Sequence, residues 1–225
     1  MNKQKIVDTL ISELLPIDSL AIEAPAKLPE ELDEDYRRFM SVCNGGYTKD
    51  YFFHFLGNSG PIQHNVLEWN VPETWKKWFE ISEPWFFFAE DMWGDQFFFT
   101  TGRRRVIKTL WIHNGTSSLA AANFIDFLQD VVFDDTRDEM KALAQKFFEG
   151  TGEQFQPFKH ISYKIPLGLG GSETDISNME LSDSLANLRF AGQVSTQLKM
   201  LAPGTRIVDI QIDYQSGLLK LIPDE

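Results

Sequence analysis

Residues 84–101, with the sequence PWFFFAEDMWGDQFFFTT, constrain the fold more than any other part of the chain. Two short aromatic runs, residues 85–89 and 97–100, flank an acidic segment that contains three carboxylates and one glycine. Runs this short, rich in aromatic residues and bounded by turn-forming residues, are typical of buried strands and not of helices. The segment between them suits an exposed connection between antiparallel strands. The stretch therefore predicts a β-hairpin with core strands and a solvent-facing turn.

Helical periodicity flanks this hairpin on both sides. Apolar residues share one face of residues 5–15, which predicts a first helix that ends at Pro16. Pro29 suits the first position of a second helix, where its missing N–H costs nothing, and the glycines of residues 44–46 end that helix. Asn123 is placed to cap a further helix. The segments between them predict strands near residues 51–56 and 105–113 and a helix over residues 69–79.

The pattern changes near residue 134, which we interpret as a boundary between modules 1–135 and 136–225. Thr136 and Glu139 form a capping-box signature for a helix that ends at Gly150, and a linker follows it. Whether this helix belongs to the first or the second module stays open. The rest of the chain predicts a strand, a glycine-rich turn, a helix and a closing hairpin over residues 160–167, 168–172, 181–201 and 208–222.

The charge of the chain limits the partners that it can bind. The 225 residues include 33 acidic and 21 basic ones, which gives a formal net charge of −12. Nucleic-acid binding is not expected, because phosphate recognition needs clustered lysine and arginine, and the only basic cluster is residues 103–105. An acidic surface attracts cations and basic partners.

The cysteine count and the hydropathy pattern indicate the compartment. Cys43 is the only cysteine, which excludes an intrachain disulfide and the multi-cysteine zinc motifs. The N-terminal residues lack the apolar core of a signal peptide, and no apolar run is long enough to cross a bilayer. We therefore expect a soluble cytosolic protein that does not enter a membrane.

The sharpest candidate for chemistry is the acidic segment with Glu90, Asp91 and Asp95. Grouped carboxylates can bind a divalent cation or act as an acid–base pair. The segment lacks the spacing of a calcium loop, however, and the four histidines are scattered without a helical zinc spacing. Residues 168–172 lack the Gly-Lys-Ser/Thr ending of a phosphate-binding loop. We therefore predict no catalytic residues, metal or cofactor, and favour a structural or partner-facing role for the carboxylates.

Several short motifs occur along the chain in an order typical of one family. They are Leu28-Pro29, Asn44-Gly45-Gly46, the FFAED of residues 87–91, the GDQF of residues 94–97 and the ANFIDFL of residues 122–128. In this order and spacing, residues 28–132 resemble the SUKH superfamily, which includes bacterial immunity proteins and the yeast Smi/Knr-type regulators. The resemblance implies an α+β fold with a twisted, mostly antiparallel sheet flanked by helices. It also implies a non-enzymatic activity.

The last third looks like the C-terminal domain of some type VI secretion immunity proteins. The motifs behind this resemblance are Ile165-Pro166, Leu169-Gly170-Gly171 and Pro203-Gly204-Thr205. It implies a smaller α+β module at the C-terminus. The activity implied for the whole chain is binding and neutralising a cognate protein toxin, with no catalytic residues.

We therefore predict an immunity protein that binds one toxin domain and blocks or covers its active site. An acidic surface would speed the encounter with a basic toxin. Two alternatives stay open: an intracellular regulatory scaffold, and a hydrolase or nucleotide-modifying enzyme that uses the turn carboxylates. The sequence determines neither the toxin nor the oligomeric state. The residues that we expect to face the partner are Glu90, Asp91, Trp93 and Asp95, with Glu34 and Asp35 as weaker candidates.

Overall fold

The computed structural model describes residues 3–17, 28–102, 105–134, 137–213 and 215–224. Some sequence-based predictions concern residues outside these ranges. They are the loop around residues 24–27, two arginines of the basic cluster (Arg103 and Arg104), the capping residue Thr136, and Tyr214 in the closing hairpin.

The described residues form helices and strands in the following order. Helices α1 to α6 are Lys3–Glu13, Glu34–Val42, Val66–Trp69, Phe124–Phe127, Asp138–Thr151 and Ser184–Met200. Short 3₁₀ segments cover Lys76–Phe79, Leu167–Leu169 and Ile176–Asn178, and a π-helical segment, Leu128–Val132, continues α4. Strands β1 to β11 are Leu14–Leu15, Gly46–Thr48, Phe53–Phe55, Phe86–Asp91, Gln96–Phe99, Ile107–Trp111, Thr116–Ala121, Lys159–Tyr163, Met179–Asp183, Ile207–Asp213 and Leu218–Pro223.

The first seven strands form one antiparallel sheet, and their spatial order from β1 to β7 is their order in the chain. Strands β8 and β9 form a separate antiparallel pair, as do β10 and β11. The predicted α+β class with a mostly antiparallel sheet is therefore confirmed. The aromatic stretch forms the hairpin of β4 and β5 at the middle of the sheet, as predicted.

One face of the sheet, which we call the aromatic face, packs against α2 and α4. The Tyr36 ring centroid lies 5.3 Å from that of Phe88, 5.1 Å from Phe99 and 5.3 Å from Phe124. Helix α2 begins at a carboxylate cap, because Asp33 Oδ1 accepts hydrogen bonds from two backbone N–H groups of the first turn. Asp33 Oδ2 also accepts from the N–H of Phe124, at 3.3 Å, which ties the starts of α2 and α4 together.

The opposite face, which we call the polar face, is covered by α3, Lys76–Phe79 and residues 159–200. The Trp75 ring lies edge-on to Phe87 at 4.7 Å. Helix α6 also packs on Lys76–Phe79, where Thr196 Oγ1 donates to the Trp78 carbonyl at 3.1 Å. Because both faces of the central hairpin are buried, each of its strands carries three consecutive aromatic residues, 86–88 and 97–99, in place of an alternation with polar ones.

The closing hairpin is attached to α6 through two glutamine side chains one helical turn apart. Gln193 Oε1 accepts from the N–H of Leu219 at 2.7 Å, and Gln197 Oε1 accepts from the N–H of Leu221 at 2.9 Å. The two leucines are buried against α6. The side-chain amides therefore satisfy backbone donors of β11 that a neighbouring strand would otherwise bind.

The ends of the first two helices differ from the prediction. Helix α2 begins at Glu34, after the Asp33 cap, and not at Pro29. Helix α1 ends at Glu13, because Leu14 and Leu15 pair with β2 as strand β1.

Three further local predictions also differ from the structure. The helix predicted over residues 69–79 does not form: α3 ends at Trp69 and a 3₁₀ segment begins at Lys76, because Pro72 between them cannot continue a helix. The helix predicted from residue 181 begins at Ser184, since the preceding residues pair with β8 as β9. Helix α5 continues past Gly150 because Gly152, with φ 74°, is the residue that adopts the left-handed C-terminal conformation.

Candidate functional site

The turn between β4 and β5 is closed by backbone and side-chain hydrogen bonds. The Asp91 N–H donates to the Asp95 carbonyl at 3.0 Å, and Gly94 adopts a left-handed conformation with φ 89°. Asp91 Oδ1 accepts from the N–H of Trp93 at 3.0 Å and of Asp95 at 3.1 Å. The carboxylate of Asp91 therefore organises the turn that the sequence predicts here.

The prediction that this turn is exposed is wrong. Side chains are 2% exposed at Glu90, 1% at Asp91, 5% at Trp93 and 4% at Asp95. The C-terminal part of the chain covers them: the N–H of Ile161 donates to the Met92 carbonyl at 2.9 Å. The Tyr163 ring also stacks on Trp93, with centroids 5.6 Å apart and planes 14° apart. These four side chains therefore form an internal junction between the sheet and residues 159–163.

The other two predicted partner-facing residues lie at the surface, at the start of α2. Glu34 is exposed, and Asp35 is partly exposed and forms ion pairs with Arg38 at 3.0 Å and Lys3 at 3.6 Å. Glu34 lines an open groove of about 860 Å³, which residues 99–102 at the end of β5 and after it also line. The structure thus separates the six predicted residues into a buried group of four and a surface pair.

Strand register brings three polar side chains of the polar face together. His54 on β3 is paired with Glu90 on β4, and Glu90 is paired with Gln96 on β5. Gln96 Nε2 donates to Glu90 Oε2 at 2.7 Å, while Gln96 Oε1 accepts from the indole N–H of Trp69 at 2.9 Å. Cross-strand neighbours point to the same side of a sheet, so this row faces the C-terminal segment.

His160 from β8 completes the environment of Glu90. Its Nε2 lies 3.2 Å from Glu90 Oε2, within ion-pair distance although outside hydrogen-bond geometry, and its Nδ1 lies 3.2 Å from Asn187 Nδ2 on α6. Burial raises the pKa of Glu90, but the electrostatic attraction of His160 and His54, together with the hydrogen bond to His54, outweighs burial and holds that pKa well below its usual range. Glu90 is therefore an ionised carboxylate in the interior.

Hydrogen-bond directions assign the protons of the adjoining histidines. A carbonyl oxygen only accepts, so His64 Nε2 donates to the Asn44 carbonyl at 2.7 Å. Burial, followed by the neighbouring His54, lowers the pKa of His64 to about 3, so this ring is neutral and its Nδ1 accepts. His54 must then donate from Nε2 to His64 and from Nδ1 to Glu90, each at 2.9 Å. His54 is therefore an imidazolium, and Glu90 is its counter-ion.

Asp91 has an internal counter-ion as well. Its Oδ2 lies 2.9 Å from Nη1 of Arg137, whose guanidinium also lies 5.4 Å from the Phe97 ring centroid and 5.0 Å from that of Trp111. Burial and the neighbouring Asp95 carboxylate raise the pKa of Asp91 to about 7, against the attraction of Arg137. The guanidinium thus occupies a cage of one carboxylate and two aromatic rings.

Asp95 differs from Glu90 and Asp91 because no described lysine, arginine or histidine forms an ion pair with it. Its Oδ1 accepts from the N–H of Ile112 at 2.9 Å, and no other described residue donates to its Oδ2. Burial, with a smaller contribution from the Glu173 charge, raises the pKa of Asp95 to about 6, against the hydrogen bond from Ile112 and the attraction of Arg137. A cavity of about 110 Å³ reaches Asp95 between Trp93, Trp111 and Tyr163.

The sequence-based reasoning missed the polar core of this site. His54, His64 and His160 are far apart in sequence, and nothing in their local spacing indicates that they meet around Glu90. The strand register of β3, β4 and β5 could have predicted the contact of His54 with Glu90, but the docking of β8 could not be read from local pattern. Among the described residues, no group of three or more His, Cys, Asp or Glu side chains is arranged to hold a metal ion. None of the described helices combines the length and hydrophobicity needed to span a bilayer.

Comparison with known proteins identifies the first part of the chain. Residues 17–130 match the model of the SMI1/KNR4 family (SUKH-1), which is more than half of the chain. The match ends before α5, so the resemblance of the last third to type VI secretion immunity proteins stays a prediction.

Similarity beyond this family match is distant. No curated protein sequence shows significant similarity to the chain. A solved structure, the crystal structure of Atu4351 from Agrobacterium tumefaciens, is similar with a TM-score of 0.46 and 14% identity; the alignment covers 89% of this chain and 92% of that one. On the family match, this protein belongs to the SMI1/KNR4 family (SUKH-1).

Proposed function

We propose that this protein is an immunity protein that binds a cognate bacterial toxin non-covalently and neutralises it in the cytoplasm, without catalysis and without a cofactor. The observation that carries this proposal is the SUKH-1 match over residues 17–130, since this superfamily includes immunity proteins. Fold alone does not define a partner, so the charge and the surface of this chain supply the more specific arguments.

The net charge of −12 favours a basic partner. Complementary charge speeds diffusional encounter and disfavours partners of the same sign. Several toxin classes that act on nucleic acids carry basic surfaces, because binding phosphate requires lysine and arginine. A nuclease-like toxin domain is therefore the partner that this chain suits best.

The surface at the start of α2 is the candidate contact region. Glu34 is exposed, makes no ion pair with any described residue, and borders the groove of about 860 Å³. A groove of this size accommodates a segment of another protein more readily than the small cavity beside Asp95 does. The buried carboxylates Glu90 and Asp91 are instead occupied by internal cations, which also disfavours the alternative of a hydrolase that uses them.

The test is co-expression with any secreted protein with a toxin domain that a neighbouring gene encodes. We expect restored growth and a complex that survives size-exclusion chromatography. Glu34→Lys should weaken the complex at least about tenfold, because it reverses a charge within the proposed interface. Glu180→Lys on β9 is the matched control, since Glu180 is also exposed and lies outside the groove. A pull-down that returns several housekeeping proteins and no toxin would instead establish the regulatory scaffold.

A further inference from the structure

The cavity beside Asp95 lies between the acidic turn and the C-terminal segment. Its walls include the stacked rings of Trp93 and Tyr163, together with Trp111 from the end of β6. Asp95 lies inside and is almost fully buried, while Glu173 and His113 are exposed where the cavity meets solvent. The arrangement is a short aromatic channel with one carboxylate inside and another at its mouth.

No lysine or arginine is among the described residues that line this cavity. Glu173, Asp95 and Tyr163 line the same cavity, so the two carboxylates reinforce each other's negative potential there. An anion would be repelled here, whereas a cation would gain both charge attraction and contact with the aromatic rings.

The same region already shows how this chain binds a cation. Asp91 lies four residues before Asp95 and binds the guanidinium of Arg137. That guanidinium also lies over the rings of Phe97 and Trp111. Asp95 has the aromatic surroundings and a free carboxylate oxygen, and Arg137 attracts it from a distance, but Arg137 is bound to Asp91 and no described lysine or arginine forms an ion pair with Asp95. A buried carboxylate without a counter-ion is costly, and binding an external cation would remove that cost.

The size of the cavity limits what can enter. A volume of about 110 Å³ is smaller than the 150 Å³ or so that holds benzene in an engineered protein, and far below that of a nucleotide site. The end of one extended side chain fits this volume, and an alkylammonium or alkylguanidinium group has the matching charge and shape.

We propose that this cavity receives the charged end of one lysine or arginine side chain of the protein partner, held by Asp95, Glu173 and the surrounding aromatic rings. The inference rests on the proposed function for the existence of that partner. It adds a second, buried anchor to the surface contact at α2, and it gives the acidic turn a role in recognition through one of its carboxylates. An anchor of this kind, in a desolvated pocket, is typical of interface hot spots.

The cavity can be tested without the partner. The full-length chain is labelled with 5-fluorotryptophan, and the ¹⁹F signals of Trp93 and Trp111 are assigned from phenylalanine variants. Titration with n-butylguanidinium should give a saturable shift of both signals, whereas n-butylurea, a neutral analogue of the same shape, should not. Equal shifts with the neutral analogue, or no saturable shift with the cation, would overturn the proposal.

Two variants connect the shift to the carboxylates. Asp95→Asn keeps the oxygen that accepts from Ile112 and should weaken n-butylguanidinium binding about tenfold or more. Glu173→Gln changes an exposed side chain, so the variant should fold like the original chain. It should weaken n-butylguanidinium binding about two- to fivefold. Glu180→Gln is the control and should change nothing. Full affinity in the Asp95 and Glu173 variants contradicts a site built on these groups.

Binding measurements on the toxin complex distinguish a failure of this inference from a failure of the proposed function. In the toxin complex, Asp95→Asn should lower affinity about tenfold, and free n-butylguanidinium should compete with the toxin. A toxin complex that neither the variant nor the free cation weakens would overturn the side-chain anchor while the immunity function stands. If no toxin is bound at all, the proposed function fails, and so does the anchor that depends on it, while the cation titration still reports whether the cavity itself selects cations.

Discussion

The two faces of the seven-stranded sheet are closed by different chemistry. On the aromatic face, rings from α2 and α4 pack on rings from β4 and β5, with Tyr36 at the centre of the cluster. On the polar face, the closing contacts around Glu90 are ion pairs and hydrogen bonds to His54, His160 and Gln96. The first closure needs only apolar groups of suitable size, while the second needs each donor to meet its acceptor.

This difference bears on how firmly each layer is held. Apolar packing tolerates small shifts, because dispersion and hydrophobic contacts are not directional. A buried ion pair adds little net stability when intact but is costly when one partner is missing. The C-terminal segment is therefore held in one register on the polar face, and removal of a single charge should release it.

The largest effect is expected from Glu90→Ala. It leaves the His54 imidazolium buried without its counter-ion, which should lower the free energy of unfolding by about 3–5 kcal/mol. Phe88→Ala on the aromatic face should cost a similar amount, about 3–5 kcal/mol, through the cavity it creates. Chemical denaturation measures both values.

Hydrogen exchange then distinguishes the two variants. Glu90→Ala should increase exchange in β8 and α6 while α2 and α4 stay protected, since the released layer is the C-terminal one. Phe88→Ala should increase exchange in α2 and α4. The same exchange pattern in both variants would mean that the two faces do not differ in the way described above.

The second effect concerns pH and Asp95. Because its pKa is raised from 3.8 to about 6, the folded state disfavours the charged form, so this group makes folding less favourable at pH 8 and the penalty disappears as pH falls towards 4. Asp95→Asn should therefore raise the free energy of unfolding at pH 8 by up to about 3 kcal/mol, from a shift of about two units. Urea titrations at the two pH values measure this difference.

The control for that prediction is a carboxylate whose pKa is lowered on folding instead of raised. Asp213, the last residue of β10, accepts hydrogen bonds from Ser216 and Gln215, and these lower its pKa. Asp213→Asn should therefore not stabilise the protein at pH 8. A stabilising effect there, or a loss of stability in Asp95→Asn at pH 8, would show that burial does not govern the Asp95 charge.

The smallest effect tests how closely β8 approaches the turn. A Cβ at Gly94 would lie 2.6 Å from His160 Nδ1, and φ at this residue is 89°. Gly94→Ala should cost about 1–3 kcal/mol of unfolding free energy by strain and displacement of His160. Gly102→Ala is the control, because φ is 99° there and no described atom outside its chain neighbours lies within 4 Å of the added Cβ. This variant therefore measures the cost of backbone strain alone. Equal costs in the two variants would argue against a tight junction.

The parts of the fold that could be predicted are those with local signals. Helix α2 follows from the apolar residues at helical spacing between Leu32 and Cys43, although it begins at Glu34 and not at Pro29, and the strands of β4 and β5 follow from their aromatic runs. Strand β7, by contrast, has the sequence TSSLAA and is mostly exposed, so it shows neither aromatic enrichment nor clear alternation. The missing signal explains why the sheet has one more strand after β6 than the sequence predicts.

The sequence predicts where the acidic turn lies but not that its side chains are buried. The acidic composition of residues 90–95 correctly indicates a turn, yet the same composition indicates exposure, and exposure is wrong. The turn is buried by Arg137 and residues 160–163, which follow the predicted hairpin in the chain with several helices and strands between them. Local pattern cannot report a cover supplied by a distant segment, because the cover depends on tertiary packing.

The order of the sheet has a consequence for how the chain is made. Because β1 to β7 are neighbours in space in the order in which they occur in the sequence, each strand that leaves the ribosome meets a neighbour that has already been synthesised. Glu90 and His54 can pair at that stage, since both belong to this meander. His160 is translated much later, so the nascent sheet carries an open, water-accessible carboxylate until the last third of the chain arrives to cover it.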